Sequence, residues 1–100
     1  MAELHFEVTS SLGKKIRVTR QYWDFIISFK HLMMAGKEAL VKDALMNADE
    51  VRRSNKDDKV FIYYKRQKKH FVAVVCKHLN GEGYIITTYI TDRIKIGEIV

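Results

Sequence analysis

Proline is missing altogether from these 100 residues, where about five would be usual. Turns must therefore come from glycine, asparagine and aspartate. Cysteine is nearly missing: Cys76 stands alone, so no internal disulfide can form, and that usage fits a reducing compartment. No run approaches the roughly 18 apolar residues that a membrane-crossing helix requires. The longest core-like stretch is Phe71 to Cys76. There is no glycine-rich phosphate loop and no paired ligand motif such as C-x-x-C or H-x-x-x-H. His70, Cys76 and His78 share parity on one strand region, but only Cys76 and His78 are near enough to act together, so neither a metal nor another cofactor is expected. Cys76 lies in the most apolar run and reads as buried rather than nucleophilic. The opening residues, with Glu3, His5 and Glu7, lack the basic-then-apolar layout of a signal peptide. These absences predict a single cytoplasmic domain over residues 1–100 with no membrane partner, and a 47% hydrophobic share supports one modest core.

Acidic residues are scarce in one place only. Between Arg52 and His70 stand eight bases (Arg52, Arg53, Lys56, Lys59, Lys65, Arg66, Lys68, Lys69) against Asp57 and Asp58, which gives that segment the whole net charge of +6. The remaining ten bases and ten acids cancel. A neutral body with one basic segment has the electrostatic form of a polyanion binder. The plainer reading is a solvated hairpin whose lysines protect an edge strand from aggregation.

Periodicity predicts an α+β fold. Leu4 to Ser10 and Lys14 to Arg20 flank Ser11-Leu12-Gly13 as an N-terminal hairpin. Thr19 suits a helix N-cap, and Val18 with Trp23 has the spacing of a hydrophobic staple. Tyr22, Trp23, Ile26, Ile27 and Phe29 predict a helix to about Met33, interrupted by Ala35-Gly36. Leu40, Val41, Ala44, Leu45 and Ala48 predict a second helix, with Asn47 as its stop. Strands follow at Val60 to Arg66, at Phe71 to Leu79 and, after the turn Asn80-Gly81-Glu82-Gly83, at Tyr84 to Thr91. The order β-β-α-α-β-β-β places both helices on one face of an antiparallel sheet. Ile99-Val100 reads as one further extended segment. Strand parity turns Tyr84, Ile86, Thr88 and Ile90 toward the helices, and Thr87, Tyr89 and Thr91 toward the open face. The same reasoning sends Tyr64 to the core face, and Tyr63 and Lys65 to the open one.

Candidate site residues are scattered along this order. His31 ends the first helix beside Lys30, Arg52-Arg53-Ser54 follows the second helix, and Tyr64, Thr87 and Tyr89 lie on strands. Cleaving RNA without a metal requires a base for the 2′-hydroxyl proton, an acid for the leaving 5′-oxygen, a cation at the crowded phosphate and in-line positioning. Histidine transfers protons near neutral pH, and arginine holds phosphate through two donors. Hydroxyls bind phosphate or ribose, and aromatic faces stack unpaired bases. Each residue also has a structural explanation: a histidine caps helix ends, and strand tyrosines and threonines pack sheets.

Several stretches resemble a known family. They are Lys30-His31 after a Trp-containing helix; Ala48-Asp49-Glu50-Val51-Arg52-Arg53-Ser54 with Asp57; Phe61-Ile62-Tyr63-Tyr64; the apolar strand Phe71 to Lys77; and Gly83 to Glu98, which includes Thr87-Thr88-Tyr89. In order and spacing, over roughly residues 16 to 98, they resemble the phage-associated nucleases of the barnase–EndoU–colicin–RelE superfamily. The resemblance implies a compact α+β ribonuclease that works without metal, often a toxin neutralised by a cognate antitoxin or immunity protein. It implies catalytic roles among His31, Arg52, Arg53, Tyr64, Thr87 and Tyr89. Lys30, Ser54, Lys65, Arg66, Lys68 and Lys69 are expected to hold RNA. Leu32 and Ile90 stand where the family commonly has proline, which relaxes two turns beside the expected site. The alternatives are a non-catalytic RNA- or ribosome-binding domain of this fold, or a protein-interaction module whose basic hairpin meets an acidic partner.

Overall fold

The computed structural model describes residues 3–100. Thr19 joins its first two kinds of structure: it ends a strand and caps a helix. Strand β1 (Leu4–Thr9) turns at Gly13, whose φ of 78° lies in the left-handed region, into antiparallel β2 (Lys15–Thr19). The Thr19 hydroxyl then accepts from the Tyr22 amide at 3.1 Å. This starts α1 (Arg20–Phe25), and Val18 and Trp23 are buried together as the staple spacing predicts. The helix does not continue unchanged to Met33. A π-helical turn (Ile26–Lys30) follows, His31 leaves the helix, and a short 3₁₀ turn (Leu32–Met34) ends the segment. The second helix, α2 (Glu38–Met46), stops at Asn47 as expected.

The remaining strands are β3 (Glu50–Arg53), β4 (Val60–Gln67), β5 (His70–His78), β6 (Glu82–Thr91) and β7 (Glu98–Ile99). Sheet order is β1-β2-β6-β5-β4-β3-β7. All neighbours run antiparallel except β2 and β6, which are parallel where Lys15 to Arg17 face Glu82 to Tyr84. The apolar β5 is central, as its two-faced hydrophobicity predicts. One strand goes beyond the expected order: β3, which carries Arg52 and Arg53; β7, the extended segment expected at the end of the sequence, pairs with it.

The main core lies between helices and sheet. Trp23, Ile26, Met34, Val41 and Leu45 pack there against Ile16, Tyr63, Val72, Val74 and Ile85. His5 binds Glu38 at 2.9 Å, tying the first hairpin to α2. The hydrogen bond from His5 holds the Glu38 carboxyl below its usual range.

The opposite sheet face has its own small cluster of Ile62, Tyr64 and Ala73, with Phe71, Val75, Tyr89 and Ile94 against it. Two parity expectations are corrected here. Tyr63, not Tyr64, faces the helices, because β4 is one residue out of the expected phase: Phe61 and Tyr63 fill the main core, and Ile62 and Tyr64 fill the other face. On β6 a register shift opposite Val75 and Cys76 lets Thr87 pair with Val75 while Ile85 pairs with Cys76. Ile86 is the extra residue, and a bulge reverses facing on either side of itself. Ile85 therefore points to the helices in place of Tyr84, whereas Thr88 and Ile90 keep the expected side.

Candidate nucleic-acid cleft

Short β2 decides where His31 goes. It pairs with only the first part of β6, so the far edge of β6 is covered by the helical segment instead. The Tyr22 hydroxyl donates to the Ile86 carbonyl at 2.7 Å, and Lys30 Nζ reaches the same carbonyl at 3.4 Å. The His31 amide closes the π-turn on the Ile26 carbonyl at 2.8 Å. The chain leaves the helix there with His31 at φ −141°, which carries the imidazole past the sheet edge to the face opposite the helices.

That face holds a cleft of about 620 Å³. Ile62 and Val75 form its floor. One wall is β3 with Arg52 and Arg53, continued by Ser54, Asn55 and Lys56. The other is Thr87 and Tyr89 on β6, with His31 at their edge, and Lys95 and Ile96 form the rim. Register explains the juxtaposition, because Arg52, Ile62, Val75 and Thr87 are successive partners across four strands. Three inter-strand spacings put the Arg52 and Thr87 backbones about 14 Å apart, which leaves room between their side chains for a small anionic group.

Among the described residues four basic ones and no carboxylate line the cleft; on β3, Arg52 shares the cleft face with Ile62, whereas Arg53 pairs with Phe61 and alternates to the other face. Arg52 is fixed from behind: Nε meets Glu50, and Nη1 donates to the Gly97 carbonyl at 3.1 Å. Arg53 pairs with Glu98. The His31 imidazole is held below its ordinary value of 6.5 by burial first and by the Lys30 charge second, so it is neutral at neutral pH. Its ring tilts against Tyr89 at 5.3 Å between centroids, and Lys95 Nζ stands 5.6 Å from the Tyr89 ring centre. Thr87 Oγ1 and the Tyr89 hydroxyl are both buried; among the described residues Thr87 Oγ1 meets no partner, and Tyr89 has only the adjacent Tyr64 hydroxyl, at the margin of hydrogen-bonding geometry. Burial raises the Tyr89 phenol, and the neighbouring Tyr64 hydroxyl offsets part of that rise. Tyr64 lies beneath rather than in the cleft lining. Its hydroxyl accepts from the Lys95 amide at 3.0 Å, which pins the segment crossing this face from β6 to β7.

Of the other expected RNA contacts, all but Ser54 lie elsewhere. Lys30 sits on the far side of β6, over the rings of Tyr22 and Phe25. Lys68 and Lys69 form the two-residue turn between Gln67 and His70, with Lys68 at φ 56°. Five strand residues separate this tip from Ile62, about 17 Å. Lys65 pairs with Asp49 at 3.4 Å, and the Arg66 guanidinium lies 5.3 Å from the Phe71 ring centre. Ser54 lines the cleft and also accepts from the Lys56 amide at 3.1 Å. Asp57, by contrast, binds Lys77 at 2.6 Å and shapes the loop between β3 and β4. Local sequence signals do not single out Lys95, Ile96, Asn55 or Lys56; the one trace is a lysine set between Ile94 and Ile96.

Cys76 is fully buried, and burial pushes its thiol up. Neighbouring His78 bonds the Tyr63 hydroxyl at 2.9 Å. Among the described residues no three His, Cys, Asp or Glu side chains gather as a metal-binding group. No described helix is long and apolar enough to cross a membrane. Comparison of the chain with protein-family models, with curated proteins and with solved structures finds no match.

Proposed function

We propose that the chain is a metal-independent endoribonuclease of the barnase–EndoU–colicin–RelE type. It acts in the cytoplasm as a toxin, and a cognate antitoxin or immunity protein restrains it. The observation that carries this reading is the meeting, in one cleft with no carboxylate among its described lining residues, of His31, Arg52, Lys95 and the buried hydroxyls of Thr87 and Tyr89.

A buried hydroxyl without a partner costs about 1–3 kcal/mol, and a side-chain rotation that opens Thr87 Oγ1 to the cleft lets an incoming phosphate accept from it and recover that cost. Arg52, with Lys95, stabilises the charge that builds on the non-bridging oxygens as the phosphorus becomes five-coordinate. His31 transfers a proton. As base, it takes the 2′-hydroxyl proton while the 2′-oxygen attacks phosphorus, and the bond to the 5′-oxygen breaks. That oxygen leaves with a proton from an acid, and the products are a 2′,3′-cyclic phosphate and a 5′-hydroxyl. Tyr64 positions Lys95 and Tyr89 from below.

The test is incubation of the purified protein with total RNA in EDTA, with His31→Ala as control. The expected result is cleavage that leaves cyclic phosphate or 3′-phosphate ends and that His31→Ala abolishes. Cleavage strictly dependent on a divalent ion, or no cleavage by the wild type, overturns the reading.

A further inference from the structure

We infer that the outer face of the first helical segment is a stacking track for the unpaired bases of a single-stranded RNA whose backbone enters the cleft; this rests on the ribonuclease reading. The inward side of the segment is already filled by Trp23 and Ile26, with Tyr22 packed against them, so Phe25 and Phe29 are surplus to the core. Tyr22, Phe25 and Phe29 stand in series, with centroids 5.7 Å and 5.6 Å apart. Phe29 is 80% exposed and Phe25 42%. Lys30 Nζ lies 5.7 Å from the Tyr22 ring centre and 5.5 Å from that of Phe25. Phe29 stands two residues before His31 in the chain, and His31 lines the cleft. From Arg20 to Lys37 the chain has three bases and one acid, Asp24, so the track carries the same sign of charge as the cleft.

Exposed rings beside a cation are the usual platform for single strands, because every base has a face to stack while the cation meets the backbone. Leu32 and Met33 extend the apolar patch and supply the discriminating control. An aliphatic side chain packs on a base face more weakly than a ring stacks on it, whereas a protein partner or a second copy would use aliphatic and aromatic groups alike.

The probe is a 2′-O-methyl RNA oligonucleotide with 2-aminopurine at successive positions, which binds without being cleaved. Phe29→Ala should weaken binding about 5- to 150-fold, the range for loss of one base–ring stack, and should relieve quenching at one position. Phe29→Trp should restore both, and Leu32→Ala should change both less. Equal losses from Leu32→Ala and Phe29→Ala, or no loss from either, overturn the track. Dissociation of a dimer by Phe29→Ala with RNA binding unaltered also overturns it and assigns the face to a second copy. Phe29-dependent quenching in a wild type that cleaves no RNA leaves the track standing and removes the ribonuclease reading alone.

Discussion

Thr87 makes the separation of stability from function measurable at a single residue. Its hydroxyl is buried without a partner, so Thr87→Val removes an unsatisfied group and keeps the shape. Thermal unfolding should show stability unchanged or raised, by up to about 1–3 kcal/mol, while RNA cleavage falls tenfold or more. Loss of both together would make Thr87 a packing residue. His31→Ala should cost about 10²–10⁴ in rate in a folded protein, and near-wild-type activity would return His31 to a helix-ending role. The pH profile probes the same group. His31 is held below 6.5 by burial and Lys30; acting as base, it works once deprotonated, so the acid limb of kcat/KM should lie below 6.5. Lys30→Met removes the repulsive charge, and the limb should move to higher pH, toward 6.5 but not fully, because burial remains.

Among the elements, the two-residue strand β7 holds the arginine wall in place. Gly97 precedes it, and a Cβ there would stand 2.6 Å from the Arg53 carbonyl oxygen, which is backbone and cannot swing aside. Its own carbonyl receives Arg52 Nη1. Gly97→Ala should therefore detach β7 and loosen Arg52, lowering cleavage more than stability, because neither β7 residue is buried. The end of β5 answers to pH instead. His78, Tyr63 and Ser10 form a buried chain, with 2.8 Å from the Tyr63 hydroxyl to Ser10 Oγ, and Phe61 stacks on the imidazole at 3.9 Å. Burial lowers His78 to about 4 and raises Tyr63 to about 12. Above pH 6.5 His78 is neutral folded or unfolded and contributes no pH dependence. Between 6.5 and 4 the unfolded chain takes up the proton and the folded one does not, so stability should fall as pH drops through that window. The whole effect is about 3 kcal/mol, and denaturant midpoints of wild type and His78→Phe would show whether this group carries it.

For the whole molecule, charge is redistributed by folding. Glu50, Glu98 and Asp49 fold back onto Arg52, Arg53 and Lys65, so the basic segment is less concentrated in space than along the chain. Lys68 and Lys69 have no acidic partner in ion-pair range among the described residues, and they project at the hairpin tip, far from the cleft. They suit backbone binding without chemistry. Replacing both by alanine should weaken RNA binding similarly for all sequences. It should also make the log–log salt dependence shallower, by about 0.7 for each phosphate that is no longer neutralised, and leave the pH profile of cleavage unmoved. An unchanged slope would assign these lysines to solvating the hairpin.

Local chemistry, or a period within one element, is enough to settle the α+β order, the Thr19 cap, the Asn47 stop and the central place of Phe71 to Cys76. It also marks His31, Arg52, Arg53, Thr87 and Tyr89 as candidates. Three matters rest on the folded chain alone. Parity fixes relative facing within a strand but not which face meets the helices, and this is why Tyr63 and Tyr64 exchange places. Nothing local announces the extra residue Ile86, which a bulge absorbs only because β5 offers one partner fewer. The cleft itself depends on register across four strands, on β2 ending early enough for His31 to pass the sheet edge, and on Lys95 crossing the face to meet Tyr64. Each of these joins residues distant in sequence, and the chain's own periodicities carry no record of it.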